Sequence, residues 1–177
     1  MHMSKLSLFL ILVIGLTACW NKKKTDPFKG LSQEEVQQKL DDMNKAAVNS
    51  EKDLIDAYVK RKQWTMTETG TGLRYIVYQN GAGSEFTKVG DLATIKYEVS
   101  LLDGTICYTS EEEGPKEFLV EADDVESGLH EGIKYMKVGD RAKMIIPSHL
   151  AHGLLGDWDK IPPRSTIVYD VELLRIR

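Results

Sequence analysis

The 177-residue sequence predicts an α+β fold: an antiparallel sheet carrying one short helix, preceded by a helical extension. Three observations predict it. From Thr67 onward apolar residues recur at every second position, in runs separated by Gly-containing turns, as half-buried antiparallel strands do. One short stretch, Leu129, Ile133 and Met136, has helical spacing instead. Between residues 31 and 66, apolar residues recur at three- and four-residue intervals behind recognisable helix starts. A short helix whose apolar stripe packs on an antiparallel sheet defines the class.

Residues 1–18 read as a secretory signal, with Lys5, an apolar run over 6–16 and small residues before a cut site. The run is well short of the ~20 residues that span a bilayer. Leu16-Thr17-Ala18-Cys19 resembles a bacterial lipobox, which implies cleavage before Cys19 and acylation there. Two or more acyl chains anchor stably, at ~0.8 kcal/mol per buried CH₂. The competing readings are an uncleaved anchor and a chance apolar start. Residues 19–30, with Lys22-Lys23-Lys24, Pro27 and Gly30, read as a tether. Its lysines either lean on anionic head groups or are simply solvated. No acidic residue directly follows Cys19, which points to an envelope protein facing the periplasm.

Ser32 with Glu35 forms a capping box, followed by Val36, Leu40, Met43 and Ala47. Ser50 with Asp53 marks a second start, followed by Leu54, Ile55, Tyr58 and Val59. Two helices, over 33–48 and 51–63, are therefore expected in an extension spanning 31–66. Their apolar stripe is narrow. It packs on the domain, forms a spacer, or pairs with a second copy as a homodimer.

Strands follow over 73–78, 93–101, 105–109, 142–146 and 167–173. Asn80-Gly81-Ala82-Gly83 and Asp103-Gly104 supply turns. A Gly-rich flap closed by Pro162-Pro163 precedes the last strand. With 42% hydrophobic and 28% charged residues, the chain holds one globular domain plus appendages. Its net charge of −4 gives no support for a nucleic-acid partner, which would favour a basic face. Once Cys19 is acylated, Cys107 is the remaining thiol and has no disulfide partner. It reads as buried and inert, since only Lys116 nearby would activate it.

Gly72-Leu73, Gly81-Ala82-Gly83, Gly90-Asp91, Leu102-Asp103-Gly104, Gly128 to Gly132, Val138-Gly139, Ile146-Pro147, Ala151, Gly153, Ile161-Pro162-Pro163 and Val171-Glu172-Leu173 arrive in an order that resembles FKBP-type (immunophilin) peptidyl-prolyl isomerases. The resemblance spans residues 70–177 and implies an isomerase domain over 67–177, its curved sheet wrapped around the short helix. It implies rotation about Xaa-Pro bonds of proline-containing polypeptides, with no nucleophile, cofactor or metal. Tyr97, Val125, Leu129, Ile161 and Tyr169 match pocket-lining positions, Tyr97 and Tyr169 as aromatic walls and Leu129 where many members have a floor tryptophan.

Other positions depart from the family. Cys107 stands where a phenylalanine is usual, and Tyr108 where active members carry a hydrogen-bonding aspartate. Lys116 falls near an aromatic position. Glu126 replaces an aliphatic residue whose backbone N–H contacts substrate. His152 stands in the flap for a tyrosine that donates to a substrate carbonyl, and a ring N–H can take that role. The implied catalytic groups are Tyr97, Tyr169 and His152, in a pocket completed by Cys107, Tyr108, Val125, Glu126, Leu129 and Ile161. The expectation is a slow isomerase assisting exported proteins.

The alternative is a catalytically weak chaperone or binding module in an envelope motility or secretion assembly. That reading rests on similarity to gliding-motility-associated FKBP-type lipoproteins of Bacteroidetes. A metal site from His149, His152 and Asp157 or Asp159 is disfavoured because these residues lie in a flap rather than on a helix. Trp158 either meets a partner or folds back over Leu154 and Leu155, and Glu111–Glu113 reads as a solvated loop.

Overall fold

Alternation from residue 67 onward produces seven strands: β1 (Thr67–Glu68), β2 (Arg74–Gln79), β3 (Leu92–Leu101), β4 (Ile106–Thr109), β5 (Lys116–Leu119), β6 (Arg141–Ile146) and β7 (Ile167–Ile176). The computed structural model describes residues 27–177, so the signal, Cys19 and most of the tether lie outside the described residues. All strands join one antiparallel sheet in the order β1-β2-β6-β7-β3-β4, and β5 also pairs with β3. Side chains alternate between its two faces, and each face has its own helix.

On one face lies α3 (Ser127–Ile133), whose Leu129 and Ile133 are buried with Met136 against Met144, Ile146 and Ile167. Two glycines set its approach. A Cβ at Gly128 would stand 2.3 Å from Ile146 Cγ2, and one at Gly132 would stand 2.4 Å from Met144 Sδ. Glycine at these positions lets the helix lie directly on the strand at interior packing density.

The other face presents Ile145 and Val168, which pack with Ile55 and Tyr58 of α1 (Gln33–Lys62). Polar contacts fix this dock. The Glu51 carboxylate accepts from Ser148 N–H at 2.7 Å, Ser148 Oγ at 2.9 Å and Thr166 Oγ1 at 2.6 Å. Arg74, buried at 6% exposure, pairs with Asp56 at 2.5 Å and Glu68 at 3.2 Å.

The extension is one helix where two were expected. No Gly or Pro interrupts residues 33–62, and Ser50 lowers helix propensity only slightly. The expected start at Ser50 is overridden by the tertiary dock of Glu51. The Ser32 capping box does form, with Ser32 N–H on Glu35 Oε2 at 2.8 Å and Glu35 N–H on Ser32 Oγ at 3.3 Å. The chain divides into two compact units, one ending at Leu40 and one covering Asp41–Arg177. Among the described residues no helix is long and apolar enough to cross a membrane.

One irregularity shapes the site. The N-terminal half of β3 pairs with β5 and its C-terminal half with β4, and between those partners the chain makes a one-turn helix, α2 (Ser110–Glu113). At this break Tyr97 N–H donates to Ser110 Oγ at 3.1 Å, so a side chain fills the gap in the ladder.

Candidate functional site

β3 and β7 pair with Val99 opposite Tyr169 and Tyr97 opposite Val171, which turns Tyr97, Val99 and Tyr169 to the face that carries α3. The Tyr97 and Tyr169 rings lie 6.2 Å apart and tilted by 47°. They line a cavity of about 260 Å³ together with Val99, Tyr108, Glu113, Lys116, Glu126, His152 and Asp157. That is slightly below the ~300–1,000 Å³ of pockets for drug-sized ligands, and suits a small ring with its flanking amides.

Each of the three tyrosine hydroxyls donates to a carboxylate. Tyr97 donates to Glu113 Oε2 at 2.5 Å, and Tyr108 donates to Asp157. Tyr169 reaches both oxygens of Glu126, at 3.0 and 3.1 Å. Burial, reinforced by the neighbouring carboxylate, pushes all three phenols far above their ordinary range, so they act as neutral donors.

Glu126 sits just before α3 with its side chain only 8% exposed, and it also accepts from His152 Nε2 at 3.1 Å. Burial alone would raise its pKa. The hydrogen bonds from His152, its own backbone and Tyr169, with the Lys116 charge, outweigh that and hold it below the ordinary carboxylate range. The same contact raises His152 above the ordinary imidazole range. Asp157 fastens the flap: its Oδ1 accepts N–H groups of Asp159 at 2.9 Å and Ile161 at 2.8 Å. Its pKa is lowered too, because these bonds and the Tyr108 hydroxyl outweigh burial.

Of the residues implied by the sequence, Tyr97, Tyr108, Glu126, His152 and Tyr169 meet around this cavity. Val125 lines an adjoining cavity of about 230 Å³, which shares Lys116, Glu126 and His152 with the first. Cys107, Leu129 and Ile161 are buried in the core cluster that includes Tyr97 and Tyr169, and do not line the cavity. The Cys107 thiol faces the carbonyls of Thr105 and Lys160, and burial raises its pKa.

Sequence reasoning missed Val99, Glu113 and Asp157. Val99 was findable, because it shares the alternation of Tyr97. Glu113 belongs to α2, capped by Thr109, and not to a solvated loop. His149 is directed to the Thr71 carbonyl at 3.0 Å and not to His152. Trp158 is 83% exposed, as Leu154 and Leu155 are largely exposed, so it does not fold back over them. A larger groove of about 520 Å³ opens over Lys96, Glu98, Arg141 and Glu172 on β3, β6 and β7; Arg141 and Glu172 pair there at 2.7 Å. Tyr78 and Tyr97 also border it, but most of its lining is polar or charged.

Comparison with known proteins agrees with this geometry. The family described as FKBP-type peptidyl-prolyl cis-trans isomerase matches residues 83–174. The probable FKBP-type peptidyl-prolyl cis-trans isomerase FkpA of Neisseria meningitidis is 36% identical over 147 residues, 81% of this chain and 53% of that protein. FkpA of Escherichia coli is 35% identical over 161 residues, 83% of this chain and 58% of that protein. The chain thus spans somewhat more than half the length of these relatives. The crystal structure of FkpA from Escherichia coli superposes with a TM-score of 0.64 at 33% identity, covering 84% of this chain and 74% of that one.

Proposed function

This chain belongs to the FKBP-type peptidyl-prolyl cis-trans isomerase family, and from that premise we propose that it catalyses rotation about Xaa-Pro bonds in exported or envelope polypeptides. The observation that carries the reading is the cavity between Tyr97 and Tyr169, bordered by His152 and Asp157 of the flap. A peptide bond resists rotation by ~18–20 kcal/mol because of its partial double-bond character, and uncatalysed Xaa-Pro exchange takes tens to hundreds of seconds. The twisted amide is less polar than the planar one, so an aromatic cavity that displaces water favours it. Tyr97, Val99 and Tyr169 provide the walls for the ring, and His152 stands on the flap side where the flanking backbone passes.

Turnover is slow in this reading. His152 Nε2 is already engaged by Glu126, and losing one or two substrate hydrogen bonds costs ~10–1000-fold in rate. NMR exchange on Ala-Xaa-Pro peptides, together with refolding of a proline-limited protein, tests the proposal. Micromolar protein should accelerate both, and acceleration of neither overturns it.

A second reading, a binding module or chaperone with little turnover, is favoured by one feature: five of the nine lining residues, Glu113, Lys116, Glu126, His152 and Asp157, carry acidic or basic side chains. The Tyr97→Ala, Tyr169→Ala pair tests in cells whether the pocket is used at all, since a phenotype unchanged at normal protein level places the role outside it.

Anchoring through an acylated Cys19 in a periplasm-facing position belongs to the same proposal. Cys19→Ser should move the protein from the membrane to the soluble fraction. Homodimerisation through the N-terminal helix is supported by Met43 and Val48, which are 53% and 54% exposed. Sedimentation of a chain lacking residues 31–50 tests it.

A further inference from the structure

The cavity contains more negative charge than its own cations balance. Glu113, Glu126 and Asp157 line it against Lys116 and His152. Three carboxylates against one lysine leave an excess of two negative charges when His152 is neutral, and of one when it is protonated. The tyrosine hydroxyls do not remove that charge. They stabilise it, because each donates a hydrogen bond to a carboxylate. A proline ring entering the cavity expels water from around these groups and strengthens every Coulombic contact left behind. An anion buried without its counterion is unfavourable, so the excess charge calls for a cation from the substrate.

The rim already displays the kind of cation it takes. The chain's own Lys160 ammonium lies 4.8 Å over the Tyr108 ring and 4.0 Å from Glu112. An ammonium held between a tyrosine face and a carboxylate is cation–π recognition combined with ion pairing.

We propose, resting on the isomerase reading above, that this pocket selects Xaa-Pro segments in which the residue preceding the proline is lysine or arginine, and discriminates against aspartate and glutamate there. Glu113 and Asp157 are the specificity-determining groups at the open side, and Glu126 sets the sign of charge deeper in.

The test uses the full mature chain and three peptides of one frame, Ala-Lys-Pro-Phe, Ala-Leu-Pro-Phe and Ala-Glu-Pro-Phe. Exchange rates and binding shifts are followed by NMR at low and at 0.5 M salt. The lysine peptide should exceed the glutamate peptide in kcat/KM by about tenfold or more at low salt, and the gap should narrow at high salt. Glu113→Gln, whose side chain lies at the surface, should lower the lysine-to-glutamate ratio, and Glu113→Gln with Asp157→Asn should lower it further. A ratio of one or less, or a ratio unmoved by both variants, overturns the proposal. If no peptide is turned over, the isomerase reading fails by itself. The binding shifts then decide selectivity separately: tighter binding of the lysine peptide sustains it, and equal binding of the lysine and glutamate peptides ends it.

Discussion

The cavity has two sides built of different material. The strand side, Tyr97 and Val99 on β3 and Tyr169 on β7, is held by a continuous backbone ladder and buried in the main core. The loop side, Glu113, Glu126, His152 and Asp157, comes from α2, the residue before α3 and the flap, and its side chains are placed at the cavity by side-chain hydrogen bonds. The difference separates roles. The sheet provides shape, which loop changes leave alone, while the loops provide charge, which can vary without unfolding the sheet.

The largest test of that separation removes a strand wall. Tyr169→Ala should cost about 3–5 kcal/mol, as aromatic truncations in cores do, and it also strips Glu126 of a donor. Urea unfolding measures it, and a loss below about 1 kcal/mol would mean that the two sides are equally dispensable. Next comes the flap clasp. Asp157→Ala removes the acceptor of two backbone N–H groups and of Tyr108. It should destabilise by roughly 1–2 kcal/mol. Faster amide exchange should be confined to residues 157–161, with β3 and β7 unchanged; spread of fast exchange into those strands would erase the distinction.

Smaller still is the link between flap and α3. Glu126 stabilises protonated His152, so their pairing is fully present below the ordinary imidazole value of about 6.5 and is lost as pH rises through the raised pKa of His152. At the acid end it is lost as pH falls through the lowered pKa of Glu126. Asp157 and Lys116 face the same imidazole with opposite signs and partly offset each other. Glu126→Gln should therefore lower the NMR titration midpoint of His152, and an unmoved midpoint would exclude the pairing. The least effect is expected from Glu113→Gln, whose exposed carboxylate should change global stability by no more than about 0.5 kcal/mol.

The same division decides what could be read in the sequence. Two-residue alternation exposed β3, β6 and β7, and the family likeness then pointed to Tyr97 and Tyr169, because the pleat alone decides which way they face. Glu113 is exposed, as the acidic run suggests, but its bond to Tyr97 has no local signal. Its partner Tyr97 lies 16 residues away, and the pair exists only because α2 interrupts the ladder beside β3. Glu126 was read through its backbone, yet its side chain is buried. A carboxylate tolerates that only with donors, and these come from His152 and Tyr169, 26 and 43 residues further along. Ser50 shows the opposite failure. A correct local start pattern was overridden when Glu51 found Ser148 and Thr166 across 97 and 115 residues.

Trp158 stands almost fully in solvent beside Asp157, whereas Trp64 packs edge-on against Tyr58 on the far face of the sheet. Two of the three tryptophans are therefore fluorophores of different kind. One is water-facing, long-wavelength and open to iodide quenching, and the other is shielded and blue. A ligand that settles under the flap would dim or shift the first and leave the second silent, so occupancy of the cavity can be followed without attaching any label.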